Sequence, residues 1–234
     1  MVTAGGPAST EARQALNELC QIYWHPVYAL IRRSGYESHA AKDLTQDFVL
    51  HLLETDFLKK ADRNIGKFRS FLRASLKNFL EDQRRKNGAV KRGGSVQKVS
   101  IDEAQAEERY DTLPIQEPDP TRIFDRAWAL TVIEKVKAEL KEDYARRDRP
   151  SVYEALVPFL VGESNPDQYA ELAARLQMTR ENLQSVLSRL RREFGGCLRK
   201  VIGQTVNDPA EIDEEIRYLL SALSAGPEAT RPAG

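Results

Sequence analysis

The stretch Tyr169–Phe194, YAELAARLQMTRENLQSVLSRLRREF, holds two apolar-periodic segments split by only three residues. Nothing else in the chain limits its fold as tightly. Leu172, Ala173 and Leu176 share one face of the first segment, and Leu183, Val186, Leu187, Leu190 and Phe194 share one face of the second. Both sets recur at the three-to-four spacing of an α-helix. A connection as short as Gln177-Met178-Thr179 makes the two helices immediate neighbours, and the small Ala173 lets the second approach closely. Thr179 is suited to cap that second helix, which directs free backbone N–H groups toward a phosphate. The outward positions are Arg180, Asn182, Gln184, Ser185, Ser188, Arg189, Arg191 and Arg192. The spacing therefore predicts a helix-turn-helix over 167–194 whose second helix enters a DNA groove. Arg180, Asn182, Gln184, Ser185 and Arg189 are assigned to base edges, and Arg191, Arg192 and Arg199 to phosphates. A plain amphipathic hairpin with a solvated basic side is the alternative, and Gln177, where such turns often carry glycine, counts in its favour.

The rest of the chain is read as helical too, giving an all-α fold of two small modules. Ser9 or Thr10 caps a first helix carrying Leu16, Leu19, Ile22, Tyr23, Val27, Leu30 and Ile31, with Pro26 marking a kink or a break. DLTQDFVLHLLE places Leu44, Phe48, Leu52 and Leu53 at helical spacing, and GKFRSFLRASLKNFLEDQRRK does the same for Phe68, Phe71, Leu72, Leu76, Phe79 and Leu80. These segments form a first module at 12–87. Residues 88–121, with glycines, then acids, then prolines, read as an acidic flexible linker. A second module at 122–222 contains a stripe of Phe124, Trp128, Val132, Val136 and Leu140, the helix pair and a last helix, AEIDEEIRYLLSALS; 225–234 reads as a disordered tail.

The formal net charge of zero conceals segregation. Lys59 to Lys98 holds thirteen Lys/Arg against three Asp/Glu, whereas Val99 to Asp125 holds two against eight. A basic block attracts a polyanion even when distant acids cancel the total. Two widely separated cysteines, Cys20 and Cys197, suggest a reducing compartment rather than a disulfide framework. With no signal-peptide pattern and no apolar run near 18 residues, the expectation is a cytoplasmic protein with no membrane contact.

DLTQDFVLHLL, FRSFLRASLKNFLEDQRRK, a linker and a C-terminal helix pair, in that order, resemble the small two-domain sigma factors of bacterial RNA polymerase, the sigma-70 family members of extracytoplasmic-function (ECF) type. The likeness spans about Ala12–Lys86 and Arg122–Lys200. It implies a transcription initiation factor that binds core RNA polymerase and directs it to promoter DNA, without an enzymatic activity or cofactor of its own. It further implies core-polymerase contacts at Asp43, Gln46, Asp47 and Leu50, and contacts to the melting element and its displaced non-template strand at Arg69, Arg73, Lys77, Asn78, Asp82, Arg84, Arg85 and Lys86. The helix-turn-helix, from Thr179 through Arg192, would take the upstream element. Such a factor is expected to be monomeric when free and open to an inhibitory regulatory protein. Basic residues interleaved with aromatics suit capture of single strand, although Phe68, Phe71 and Phe79 recur on an apolar face and read first as core. The linker is long and acidic for this family, which leaves the promoter spacing open.

Chemistry finds little support in the sequence. His25, His39 and His51 are the only histidines. His51 shares a helix face with Asp47 and Glu54, but there is no HExxH or CxxC pattern, so no metal is expected. His25, before Pro26, reads as a helix-end residue. The rivals to a sigma-like factor are a helix-turn-helix regulator independent of core polymerase and a sigma-like adaptor that does not bind DNA.

Overall fold

A computed structural model describes residues 7–54, 67–87, 103–114, 117, 119–160, 166–206 and 208–224. The described residues form nine α-helices and two short 3-10 turns, and no strand occurs among them. The helices are α1 (Pro7–Arg33), α2 (Ser38–Glu54), α3 (Phe68–Asn87), α4 (Glu103–Asp111), α5 (Pro120–Arg146), α6 (Pro150–Leu156), α7 (Pro166–Arg175), α8 (Arg180–Gly203) and α9 (Ile212–Ser224). The all-α expectation holds. Lys86 has its backbone described but not its side chain, and the tail from Ala225 lies outside the described residues.

The chain divides into two compact units, 1–131 with 202–234, and 132–201. This differs from the expected boundaries at 87 and 122, because α9 and the start of α5 belong with the N-terminal helices. Side-chain ion pairs link α9 and the start of α5 to α3, and no sequence pattern announces pairs so far apart.

In the first unit, every residue of α1 from Ile22 to Ile31 is buried. A helix apolar on all sides must be surrounded by others. Its neighbours supply Phe48, Val49 and Leu52 from α2, Leu72, Leu76 and Leu80 from α3, Ala106 from α4, Ile123, Phe124, Ala127 and Trp128 from α5, and Leu219 from α9, all buried. Each large aliphatic or aromatic side chain so placed contributes about 1.5–3 kcal/mol. Pro26 neither kinks the element into two nor ends it, since α1 runs unbroken through it. Its missing N–H and the clash of its ring with the preceding turn cost about 3 kcal/mol in an ordinary helix interior, and burial of the surrounding side chains offsets that cost here. Ser9 and Thr10 fall inside α1 rather than at its cap. His25 is likewise interior, 4% exposed, rather than at a helix end.

The segment expected to be a flexible linker contains α4. Its Glu107 accepts hydrogen bonds from Tyr28 Oη and from Arg32, whose Nη2 lies 2.5 Å from Oε1, and Arg32 also stacks over Tyr110 at 5.2 Å. Leu113, Ile123, Ala127 and Ala29 close a small apolar cluster beneath it. Of the acids that suggested a solvated linker, Glu107 is an anchor for Arg32 of α1.

In the second unit, Leu140 and Tyr144 of α5 pack with Tyr153 and Leu156 of α6, Leu172 and Ala173 of α7, and Leu183, Leu187 and Leu190 of α8, all buried. The rings of Tyr144 and Tyr153 lie 5.6 Å apart, and Tyr153 Oη donates to the Lys137 carbonyl at 2.7 Å. The described helices include none long and apolar enough to cross a membrane.

Candidate nucleic-acid interface

The turn between α7 and α8 is set by backbone hydrogen bonds. Met178 N–H donates to the Ala173 carbonyl at 2.9 Å and Gln177 N–H to the Ala174 carbonyl at 3.1 Å, the paired bonds of a Schellman helix end. That geometry requires a left-handed residue, and Gln177 fills the place with φ 54°. Glutamine thus adopts the conformation glycine would take freely. Thr179 then starts α8, its Oγ1 accepting from Asn182 N–H at 3.2 Å, which realises the expected cap.

From this start the inward side of α8 buries Leu183, Leu187 and Leu190 to 2% exposure or less. Every residue assigned to the outward side is exposed: Thr179, Arg180, Asn182, Gln184, Ser185, Arg189, Arg191 and Arg192, with Ser188 among them. Arg180 and Arg192 make no ion pair among the described residues. Arg191 reaches back to donate to the Phe159 carbonyl at 3.0 Å, which fixes its guanidinium near the end of α6. α8 continues past the expected end at Phe194 to Gly203. Hydrogen-bonding and cationic groups therefore line one accessible stripe, the composition that base edges and phosphates require.

α3 divides into two halves. Toward its C-terminus Lys77, Asn78, Asp82, Arg84 and Arg85 are exposed. Asp82 sits 3.8 Å from Arg85 and Arg84 lies over the Tyr36 ring at 5.9 Å, so Lys77 is the cation of this half with no ion pair or ring contact among the described residues. Toward its N-terminus the helix is enclosed: Arg69, assigned to DNA, is 3% exposed. Its Nη1 lies 2.7 Å from Asp125 Oδ1, its Nε 2.8 Å from Glu215 Oε1, and its guanidinium carbon 3.9 Å from the centre of the Tyr218 ring and 5.0 Å from that of Trp128. Burial works against this charge, but the hydrogen bond to Glu215 and the field of Asp125 outweigh it and raise its pKa further. Arg73, half-buried, donates to Asp125 Oδ2 at 3.0 Å, and Tyr218 Oη donates to the same oxygen at 2.6 Å. Lys67 completes the cluster, 2.7 Å from Glu214 Oε1 and 3.3 Å from Glu215 Oε2.

This cluster was not legible in the sequence. Arg69 and Asp125 are 56 positions apart and Arg69 and Glu215 are 146 apart, so no helical spacing relates them. The phenylalanines behave as core: Phe68 meets Tyr23 edge-on at 5.2 Å and Phe79 lies 5.3 Å from Phe48.

The residues assigned to core polymerase are not equally accessible. Asp47 is exposed and Asp43 and Leu50 are half-buried, but Gln46 is 6% exposed and faces the interior of the first unit. Partial burial, and next the neighbouring Asp43, raise the pKa of Asp47. His39 lies 3.7 Å from Asp43, and no group of three or more His, Cys, Asp or Glu side chains with metal-holding geometry occurs among the described residues. His51 is exposed, with its ring 6.0 Å from that of Phe79. No protein-family model, curated protein or solved structure matches the chain.

Proposed function

We propose that the chain is a sigma-like transcription initiation factor that binds core RNA polymerase and guides it to promoter DNA. In this reading it has two small helical domains, and α7 and α8 form the helix-turn-helix of the second. The observation that carries the proposal is the outward stripe of α8, where every residue assigned to DNA is exposed beside a capped, tightly closed turn. α8 would dock in the major groove of an upstream element, with Arg180, Asn182, Gln184, Ser185 and Arg189 at base edges and Arg191 and Arg192 at phosphates. The exposed half of α3, Lys77, Asn78, Arg84 and Arg85, would track the displaced non-template strand, and Asp43, Asp47 and Leu50 would meet the polymerase.

The test is reconstitution of the purified chain with core RNA polymerase on a pool of promoter fragments, mapping open complexes and transcript starts. Core-dependent melting at a shared two-part element is the expected result. DNA binding that neither needs polymerase nor opens the duplex would overturn it.

The burial of Gln46 and Arg69 favours a second reading, a helix-turn-helix regulator that acts without core polymerase. That protein would bind a palindrome as a dimer, whereas a sigma-like factor binds two unlike elements as a monomer. The stoichiometry on DNA separates them.

A further inference from the structure

The cations at the N-terminal end of α3 are held by carboxylates of α5 and α9, and the composition of α9 gives that contact a particular character. Only two of its thirteen residues are buried, Leu219 and Glu215. A helix docked for stability alone gains more from apolar side chains than from a buried carboxylate, whose desolvation consumes much of the attraction it makes. α9 instead meets α3 through Glu215 on Arg69 and Lys67, and through Glu214 on Lys67 at the solvent edge, where Glu214 is 63% exposed. Its Tyr218 covers the face of the Arg69 guanidinium and donates to Asp125. A carboxylate on a guanidinium occupies the same donors that a phosphate would take.

The geometry points to α9 as a displaceable clasp that occupies Arg69 of α3 and Lys67 just before it until a nucleic-acid strand replaces its carboxylates. The clasp rests on the reading of α3 as a single-strand-binding helix. The strand would first meet the accessible Lys77, Arg84 and Arg85. Extension along α3 would then exchange Glu214 and Glu215 for phosphates at Lys67 and Arg69, freeing α9. The contact surface for the strand would thereby lengthen by the first two turns of α3 only after binding had begun.

The experiment titrates the full chain, wild type and a Glu214→Gln/Glu215→Gln variant, with a short single-stranded DNA of mixed sequence across a salt series. Hydrogen exchange of the 212–224 amides is followed with and without the DNA. The variant is expected to bind more tightly, with a salt slope steeper by about 0.7 for Lys67, which loses both of its carboxylates, while Arg69 keeps Asp125. In the wild type, DNA is expected to strip protection from the 212–224 amides. Equal affinity and slope, with those amides unchanged by DNA, would overturn the clasp while leaving α3 as a strand-binding helix. No binding by either protein would overturn the reading of α3 and the clasp with it. If the variant does not fold, exchange in the wild type decides alone: protection of 212–224 that persists in the DNA complex overturns the proposal.

Discussion

Arg69 and Asp125, from α3 and α5, form an ion pair of 2.7 Å in which both side chains are no more than 5% exposed. The pair is one edge of a cluster that also contains Glu215, Arg73 and Tyr218, and removing either charge leaves the other buried with one counter-charge fewer. Breaking such a pair costs more than forming it gains, because the surviving charge stays buried without its partner.

Arg69→Ala should therefore destabilise the protein by about 3–5 kcal/mol, and Asp125→Ala by a similar amount. A double replacement by apolar residues should cost much less than the two singles added together, since it strands no charge between these two. Urea unfolding of the four proteins measures the coupling. Additive losses would contradict the pairing.

Gln177 holds a left-handed φ of 54° at the end of α7, where an L side chain is strained. Gln177→Gly should stabilise by up to about 1 kcal/mol, the relief of that strain less the extra freedom glycine gains when unfolded. Gln177→Val, β-branched, should destabilise. Asp148, at φ 57°, closes α5 with the same pair of backbone bonds, Arg149 N–H to the Tyr144 carbonyl and Asp148 N–H to the Ala145 carbonyl, and Asp148→Gly should behave alike. Melting temperatures of these variants test the turn independently of any function.

The helix pair was legible in the sequence because its determinants are local. Spacing of Leu183, Leu187 and Leu190 fixes the buried stripe, Thr179 fixes the start, and the short connection fixes the neighbour. Even the anomaly at Gln177 was visible, as a missing glycine. The first unit was legible only as a set of helices. What groups α9 with α3 is a carboxylate 146 positions from its arginine, and a basic residue on a helix reads as solvated until its partner is known. The same limit misplaced Arg69, Gln46 and His25. Each is polar, and the sequence alone points each to an accessible or terminal place, but α1, α2 and α3 pack with so many neighbours that several of their polar positions lie inside.

His25 is buried in the middle of α1 with neither ring nitrogen hydrogen-bonded among the described residues. Burial, and next the nearby Arg109, push its pKa down from 6.5 to about 3. The unfolded chain then binds a proton below pH 6.5 that the folded chain refuses until about pH 3. This contribution to stability is complete above the unfolded pKa and is lost as pH falls, at up to about 1.4 kcal/mol per pH unit. His25→Leu should flatten the acid side of the stability curve, as measured by urea unfolding at a series of pH values. An unchanged slope would mean that the imidazole reaches water in the folded protein.

The exposed stripe of α8 makes distinct predictions for its two classes of residue. Asn182→Ala and Arg189→Ala remove groups assigned to base edges, so they should weaken binding to the preferred site by about 1–3 kcal/mol while sparing binding to unrelated DNA. Arg192→Ala removes a group assigned to a phosphate, so it should weaken all sequences alike and lower the magnitude of the salt slope by about 1. Thr179→Ala acts through the helix start instead, costing about 1 kcal/mol of stability by leaving the Asn182 N–H without its acceptor. Binding isotherms on matched and scrambled duplexes, each over a salt series, separate the three patterns. If Asn182, Arg189 and Arg192 all lowered affinity uniformly, α8 would be a basic surface for any polyanion, with no side chain reading sequence.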